Sequence, residues 1–378
     1  MIMRAIQMVD LKQQYAKIKS QIDAGIQEVL DTATFINGPA VQAFSDEFAR
    51  YLGSRHVIPC ANGTDALQIA MMALGLEPGD EVITPSFTYI ATTEVVALLK
   101  LKPVFVEVDP KTFCLDPVAL EAAITPRTKA IVPVHLYGQA APMEQILDIA
   151  RRHNIYVIED NAQAIGATYT FSNGTTRKTG TMGTVGCTSF FPSKNLGCYG
   201  DGGAICTEDD ALAEKMRMIA NHGQSKRYYH DVVGCNSRLD AIQAAILRVK
   251  LKELDGYIAA RRKAADFYDA AFAGHPAIRT PYRADYAHHV FHQYTLQLEG
   301  KDRDGLNAFL ATHEIPSMIY YPVPGHRQKM FSAAPGSEVN LAITDQLTKK
   351  VISLPMHTEL DEQQLFHIVT KVLEFTHL

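Results

Sequence analysis

Apolar positions recur every three to four residues at Leu11, Tyr15, Ile18, Ile22, Ile26 and Val29, which predicts an amphipathic helix over residues 10–30. Asn37-Gly38-Pro39 breaks that pattern, and a second helix is expected around 41–52. From there to about residue 207, short β-rich apolar runs alternate with helical ones. The runs expected to be strands are 81–85, 104–109, 130–138, 156–160, 188–192 and 203–207. Helical patterns fall at 65–75, 92–100, 117–124 and 143–153. Most strand runs lack apolar/polar alternation, as strands covered on both faces do. The expectation is a layered α/β unit with a mostly parallel sheet.

The glycine- and threonine-rich stretch 170–183 reads as a hairpin or exposed loop. A long helical pattern at 238–272 reads as a connector. After it come a strand in FHQYTLQLE, a helix at 304–313, a strand in SMIYYPV, a helix at 344–351 and an amphipathic helix at 361–378. Two units are therefore expected: 1–245, an N-terminal arm and a large α/β domain, and 246–378, the connecting helix and a smaller α+β domain.

Composition narrows the classes. Of 378 residues, 47% are hydrophobic and 20% charged, as in ordinary globular chains. A formal net charge of -5 argues against nucleic acid or an anionic membrane as partner, since both call for a basic face. The six cysteines form no CxxC pair, so no structural zinc is expected and reduced thiols are. With no signal-like start and no long apolar run, a cytoplasmic location is expected.

Four segments carry candidate chemistry. In NGTDALQIA, Thr64 or Asp65 can cap a helix and Gly63 permits a tight turn in front of it, which creates an anion site. In TPSFTYIA, Phe87 and Tyr89 follow a strand end, either as core or as a ring that stacks on a flat ligand. In YVIEDNAQ, Asp160 is either a cap or a carboxylate that holds a proton on a cofactor nitrogen. In TSFFPSKNLGCYGDGGA, Lys194 is a surface charge or a tuned amine, and glycines 197, 200, 202 and 203 would leave space for a ligand. A phosphate cradle, a stacking ring, a ring-nitrogen partner and a Schiff-base amine together make up a pyridoxal phosphate site. A dinucleotide-binding oxidoreductase would need a strand–GxGxxG–helix unit, which the chain lacks.

The ordered set NGTDAL, DEVITPSFTY, AIVPVHLYGQ, VIEDNAQ, TSFFPSKNLGCYGDGGAI and NSRLDAIQAAIL closely resembles the DegT/StrS-type, pyridoxal-phosphate-dependent nucleotide-sugar aminotransferases. The resemblance implies the fold type I architecture of aspartate aminotransferase: a large domain with a mixed, mostly parallel sheet and a smaller C-terminal α+β domain. It implies Lys194 as the Schiff-base lysine and Asp160 as the partner of the ring nitrogen. Tyr89 takes the stacking position, Gln163 lies beside the ring, and Gly63, Thr64 and Ser189 hold the phosphate. Asn236 would reach the phosphate of a neighbouring subunit, which implies a homodimer with shared sites. L-glutamate is the implied amino donor. Branches of the family that dehydrate sugars carry histidine in place of this lysine, so Lys194 speaks for transamination.

Within the family, GQSKRYYHDVVGCNSRLD looks most like enzymes that aminate C3 of a UDP-linked 3-keto-N-acetylhexosaminuronic acid, in surface polysaccharide synthesis. Arg238 would bind the sugar carboxylate bidentately, and Lys226, Arg227 and Tyr229 would contact diphosphate or sugar. Where that branch reads His-Tyr-Pro, this chain has Tyr320-Tyr321-Pro322, and His326 matches a histidine of other branches. Tyr320, Tyr321 and His326 are candidate substrate contacts. A neutral dTDP- or UDP-keto-deoxysugar is the alternative substrate. A regulatory protein that keeps the fold without turnover is the alternative class.

Overall fold

The computed structural model describes residues 3–332 and 339–377. Its centre is a seven-stranded sheet in the order His56–Cys60, Gly203–Thr207, Val185–Ser189, Tyr156–Asp160, Thr128–Ile131, Glu81–Pro85, Lys102–Val106. Only Gly203–Thr207 runs antiparallel to its neighbours. The other strands share one direction, so Cys60, Pro85, Asp160 and Ser189 end at the same edge. Helices cover both faces, and every residue of Glu81–Pro85 and Gly203–Thr207 is buried, which accounts for their continuous apolar sequences.

Several expected elements differ. His56–Cys60 is a strand whose Pro59 and short length hid it from pattern reading. The stretch expected at 130–138 is a strand only over Thr128–Ile131, because a single turn of 3-10 helix at Leu136–Gly138 takes over. The strands expected at 104–109 and 188–192 lie at Lys102–Val106 and Val185–Ser189. SMIYYPV forms no strand and touches the sheet next to it through one bridge, Met318 to Ser353. A helix at Asp210–Ala220, capped by Asp209, escaped the pattern reading altogether. The glycine- and threonine-rich stretch does form a hairpin, Thr168–Thr170 with Thr176–Lys178.

Ala241–Phe272, 32 residues and therefore about 48 Å long, spans two cores. Its first half packs Ala244, Leu247, Leu254 and Ile258 against Phe44, Phe48 and Phe190. Its second half packs Ala265, Tyr268 and Phe272 against Tyr294, Leu310 and Ile368. That second core lies under a three-stranded sheet ordered Ile278–Arg279, Tyr294–Leu298, Val351–Leu354. One helix thus fixes the sheet edge relative to the C-terminal elements.

Candidate active site

A cavity of about 800 Å³ opens over the shared carboxyl edge of the large sheet, where open α/β sheets bind ligands. Its wall includes Gly63, Thr64, Tyr89, Asp160, Gln163, Ser189, Lys194, Tyr320 and Tyr321. These nine residues come from five separate stretches of the chain.

The helix Gly63–Ala73 starts at the cavity. Its cap is neither Thr64 nor Asp65 but Asn62, whose side-chain oxygen accepts from the Asp65 amide at 2.8 Å. Asparagine is a strong N-cap because its carbonyl reaches exactly one turn's free amide while its backbone stays extended. The Gly63 and Thr64 amides have no partner among the described residues and remain as donors at the positive end of the helix. A Cβ on Gly63 would stand 2.6 Å from Ser189 Cβ, so glycine lets the helix start and the strand end close into one cradle.

Asp160 ends the strand Tyr156–Asp160 and is almost fully buried. Thr92 donates to its Oδ2 at 2.7 Å and the Ala162 amide to its Oδ1 at 3.1 Å, which fixes the carboxylate while it faces the cavity. Lys194 follows the strand Val185–Ser189, on a turn closed by its amide to Phe191 O at 2.9 Å. Burial pushes its amine down to about 8, and the charge of Asp160 opposes that fall. The glycines after Lys194 do not open ligand space. A Cβ at Gly197 would meet Pro192 O at 2.4 Å, one at Gly203 would meet Asn62 backbone at 2.4 Å, and those at Gly200 and Gly202 would press on Gln243 and Cys198. Their smallness packs the Lys194 loop against protein.

Tyr89 is 56% exposed at the rim, 6.1 Å ring to ring from Tyr321, whereas Phe87 is fully buried in the core. Gln163 has both ends engaged: it accepts from the Tyr137 amide and donates to the Tyr321 hydroxyl, each at 2.9 Å. The Tyr321 hydroxyl proton finds no acceptor among the described residues, so it is free to donate into the cavity.

Six other sequence candidates lie away from this cavity in the same chain. Asn236 is exposed and bridged to Asn221. Arg238 borders a separate recess with Asn37 and Arg217. Lys226, Arg227 and Tyr229 stand exposed on or beside the hairpin Gln224–Lys226/Tyr229–His230. His326 is buried against Ser86. Conversely, sequence reading passed over Asn62, Thr92 and His292. His292 lines the cavity, and burial, then Lys194 and Arg261, lower its pKa well below the ordinary value and keep the imidazole neutral.

An amine of lowered pKa, a buried carboxylate and an amide cradle in one cavity fit an aldehyde-bearing, phosphorylated pyridine cofactor. The chain matches the DegT/DnrJ/EryC1/StrS aminotransferase family over residues 16–373, and it belongs to that family. It is 51% identical over 356 residues to the UDP-2-acetamido-2-deoxy-3-oxo-D-glucuronate aminotransferase of Pseudomonas aeruginosa, covering 94% of this chain and 96% of that one. It is 48% identical to a pleiotropic regulatory protein of Geobacillus stearothermophilus (98% of each). Against the UDP-N-acetyl-3-dehydro-alpha-D-glucosamine 3-aminotransferase of Acidithiobacillus ferrooxidans it is 47% identical, over 99% of this chain and 98% of that one. Among solved structures, DesV of S. venezuelae in complex with a ketimine intermediate superposes with a TM-score of 0.94 at 40% identity, covering all of both chains. NtdA of Bacillus subtilis with bound PMP gives 0.87 at 31%, over 96% of this chain and 82% of that one. The protein is therefore a sugar aminotransferase of fold type I that depends on pyridoxal phosphate.

Proposed function

We propose that the enzyme moves an amino group from L-glutamate to C3 of a UDP-linked 2-acetamido-2-deoxy-3-keto-hexuronic acid, for a surface polysaccharide. The observation that carries this reading is the convergence of Lys194, Asp160 and the Gly63–Thr64 amides on one cavity, in a chain so similar to the Pseudomonas enzyme over nearly its whole length. Bound pyridoxal phosphate would supply a carrier for the amino group and a sink for the electron pair released at the donor Cα. The Gly63 and Thr64 amides and Ser189 would hold its phosphate. Asp160, oriented by Thr92, would keep the ring nitrogen protonated. Tyr89 would cover one ring face, and Gln163 would border the ring while it orients Tyr321. Lys194 would hold the cofactor through its buried amine, whose lowered pKa would also suit it to move the Cα proton as a base.

Charge supports a shared site. The ionisable wall of the cavity contains Asp65, Asp160 and Asp201 but one basic amine, Lys194, besides the neutral His292. A cofactor phosphate, a nucleotide diphosphate and a sugar carboxylate need more positive charge than that. Arg238, Lys226, Arg227 and Asn236 lie outside their own chain's cavity, where a second copy could present them to it. The reading is thus a homodimer with each site completed by the partner. The boundary near residue 245 between a large and a small domain belongs to the same reading. So does a cytoplasmic location, since no helix among the described residues is long and apolar enough to cross a membrane.

A second reading, a neutral keto-sugar, is favoured by Tyr320-Tyr321-Pro322 at the position where the acid-specific branch carries histidine. Incubation of the holoenzyme and glutamate with acidic and neutral UDP- and dTDP-3-keto-sugars, read by product mass, decides. Amination of the acid alone supports the first reading, and equal rates on both overturn the carboxylate role of Arg238. No amination of any sugar, as from a regulatory protein, overturns the function.

A further inference from the structure

His326 was expected at the substrate, yet the residue is only 4% exposed, behind the cavity wall. Three hydrogen bonds join it and Gly325 to one residue, Ser86. The His326 amide donates to Ser86 Oγ at 3.1 Å, Ser86 Oγ lies 2.7 Å from His326 Nδ1, and the Gly325 amide donates to Ser86 O at 2.8 Å. The hydroxyl already accepts the His326 amide, and its own proton has no other acceptor among the described residues, so it donates to Nδ1. The imidazole is therefore neutral with its proton on Nε2, 3.3 Å from Asp345 Oδ1. Burial lowers its pKa, with Asp345 and Glu107 opposing and Arg327 assisting.

The two ends of this tie lead straight into the cavity wall. Ser86 lies two and three residues before Thr88 and Tyr89, and His326 follows Tyr320 and Tyr321 through a segment stiffened by Pro322 and Pro324. No regular strand holds that segment, whose bridge to the neighbouring sheet is at Met318. We infer that His326 is a positioning residue: through Ser86 it sets the gap between the Tyr89 and Tyr321 rings, and so the fit of the cofactor ring beneath Tyr89. The inference rests on the reading of Tyr89 as the stacking residue.

The test is pyridoxal phosphate affinity and the visible circular dichroism of the bound cofactor, on full-length His326→Ala, His326→Asn, Ser86→Ala and the double alanine variant. Asn Oδ1 falls where Nδ1 was and can accept the serine proton. Loss of the Oγ–Nδ1 bond weakens affinity about tenfold and shrinks the dichroic band in His326→Ala, and Ser86→Ala, which also loses the acceptor of the His326 amide, is at least as weak. The double variant is no worse than Ser86→Ala, which already lacks both Oγ bonds, and His326→Asn returns within about twofold of wild type. Wild-type affinity and band in His326→Ala, additive losses, or an asparagine no better than alanine would overturn the inference. Tyr89→Ala separates the two layers. If it leaves affinity and band unchanged, the stacking role falls and the inference with it. If it weakens binding while His326→Ala does not, only the tie falls.

Discussion

On the proposed reading a single amine carries the chemistry, and its tuning is local. Lys194 is desolvated beside one carboxylate, and burial outweighs that neighbour, so the neutral nucleophilic form is populated from about pH 8 upward rather than above about 10. Stopped-flow reconstitution of the apoenzyme with pyridoxal phosphate should show a rate that rises with pH through a midpoint near 8. A midpoint near the ordinary lysine value would refute the tuning. Thr92 acts on the other side, where its hydroxyl is the one side-chain donor to Asp160 among the described residues. Thr92→Val keeps the shape and removes that bond. It should lower kcat about fivefold, the effect of one hydrogen bond near 1 kcal/mol, with KM for glutamate and the melting temperature little changed. A proportional loss of both kcat and melting temperature would make Thr92 structural.

Between residue and molecule, the elements explain what could be read in advance. Strands that end in a functional residue were legible because the apolar run and the polar residue after it are contiguous: Glu81–Pro85 and Tyr156–Asp160 appear where the pattern put them. The place of Asp160 at a strand end was legible for the same reason, whereas Lys194 lies beyond Ser189 on a loop and stood out only through the series of motifs. The cap was not, because Asn62, Thr64 and Asp65 are all good cap types and only backbone geometry chooses among them. His292 gave no signal, since a histidine among AHHVFHQY has no spacing that separates wall from core. The segment 317–323 has β-type composition, yet beyond the Met318 bridge it is held by Tyr137 at Tyr320 O and by Gln163 at Tyr321, with Gly325 and His326 tied to Ser86 just after it. The glycines after Lys194 were noticed but misread, because sequence cannot say whether a missing side chain faces ligand or protein.

Glu159, next to Asp160, shows an element-level consequence. The strand alternates, so Glu159 points away from the cavity and is fully buried. It accepts from the amides of Gly180, Met182 and Gly183 at 2.8, 2.6 and 2.6 Å, and from His135 Nε2 at 2.8 Å. The Ala141 amide donates to His135 Nδ1, which fixes the proton on Nε2. Burial alone would raise the Glu159 pKa, but His135 and these amides outweigh it and the net shift is downward. A carboxylate lowered on folding stabilises above its unfolded pKa of about 4.3, and that contribution is lost as pH falls through the folded value. Glu159→Ala leaves three amides without acceptors and should cost roughly 3 kcal/mol by urea unfolding at pH 7, with a smaller cost at acid pH. An equal cost at both pH values would separate the carboxylate charge from the effect.

At the scale of the whole molecule, the cavity of one chain is short of positive charge, while Arg217 and Arg238 border a separate recess and Lys226 and Arg227 stand exposed at the hairpin beyond it. If a second copy closes each site, Lys194 and Asn236 work on opposite chains at any one cavity. The consequence is specific to sharing. Lys194→Ala and Asn236→Asp homodimers would each be inactive, the first for want of the amine and the second by repulsion of the phosphate. After subunit exchange, half of the dimers are mixed. In a mixed dimer one site collects both defects and the other has an intact Lys194 from one chain and an intact Asn236 from the other. Activity should therefore return to about a quarter of wild type, the fraction of sites that are whole after random exchange of equal amounts. Sites built from a single chain would stay silent at any mixing ratio. Activity that fails to return after exchange has been verified by mass would assign Asn236 to its own chain's fold and leave the missing charge to be supplied by another partner.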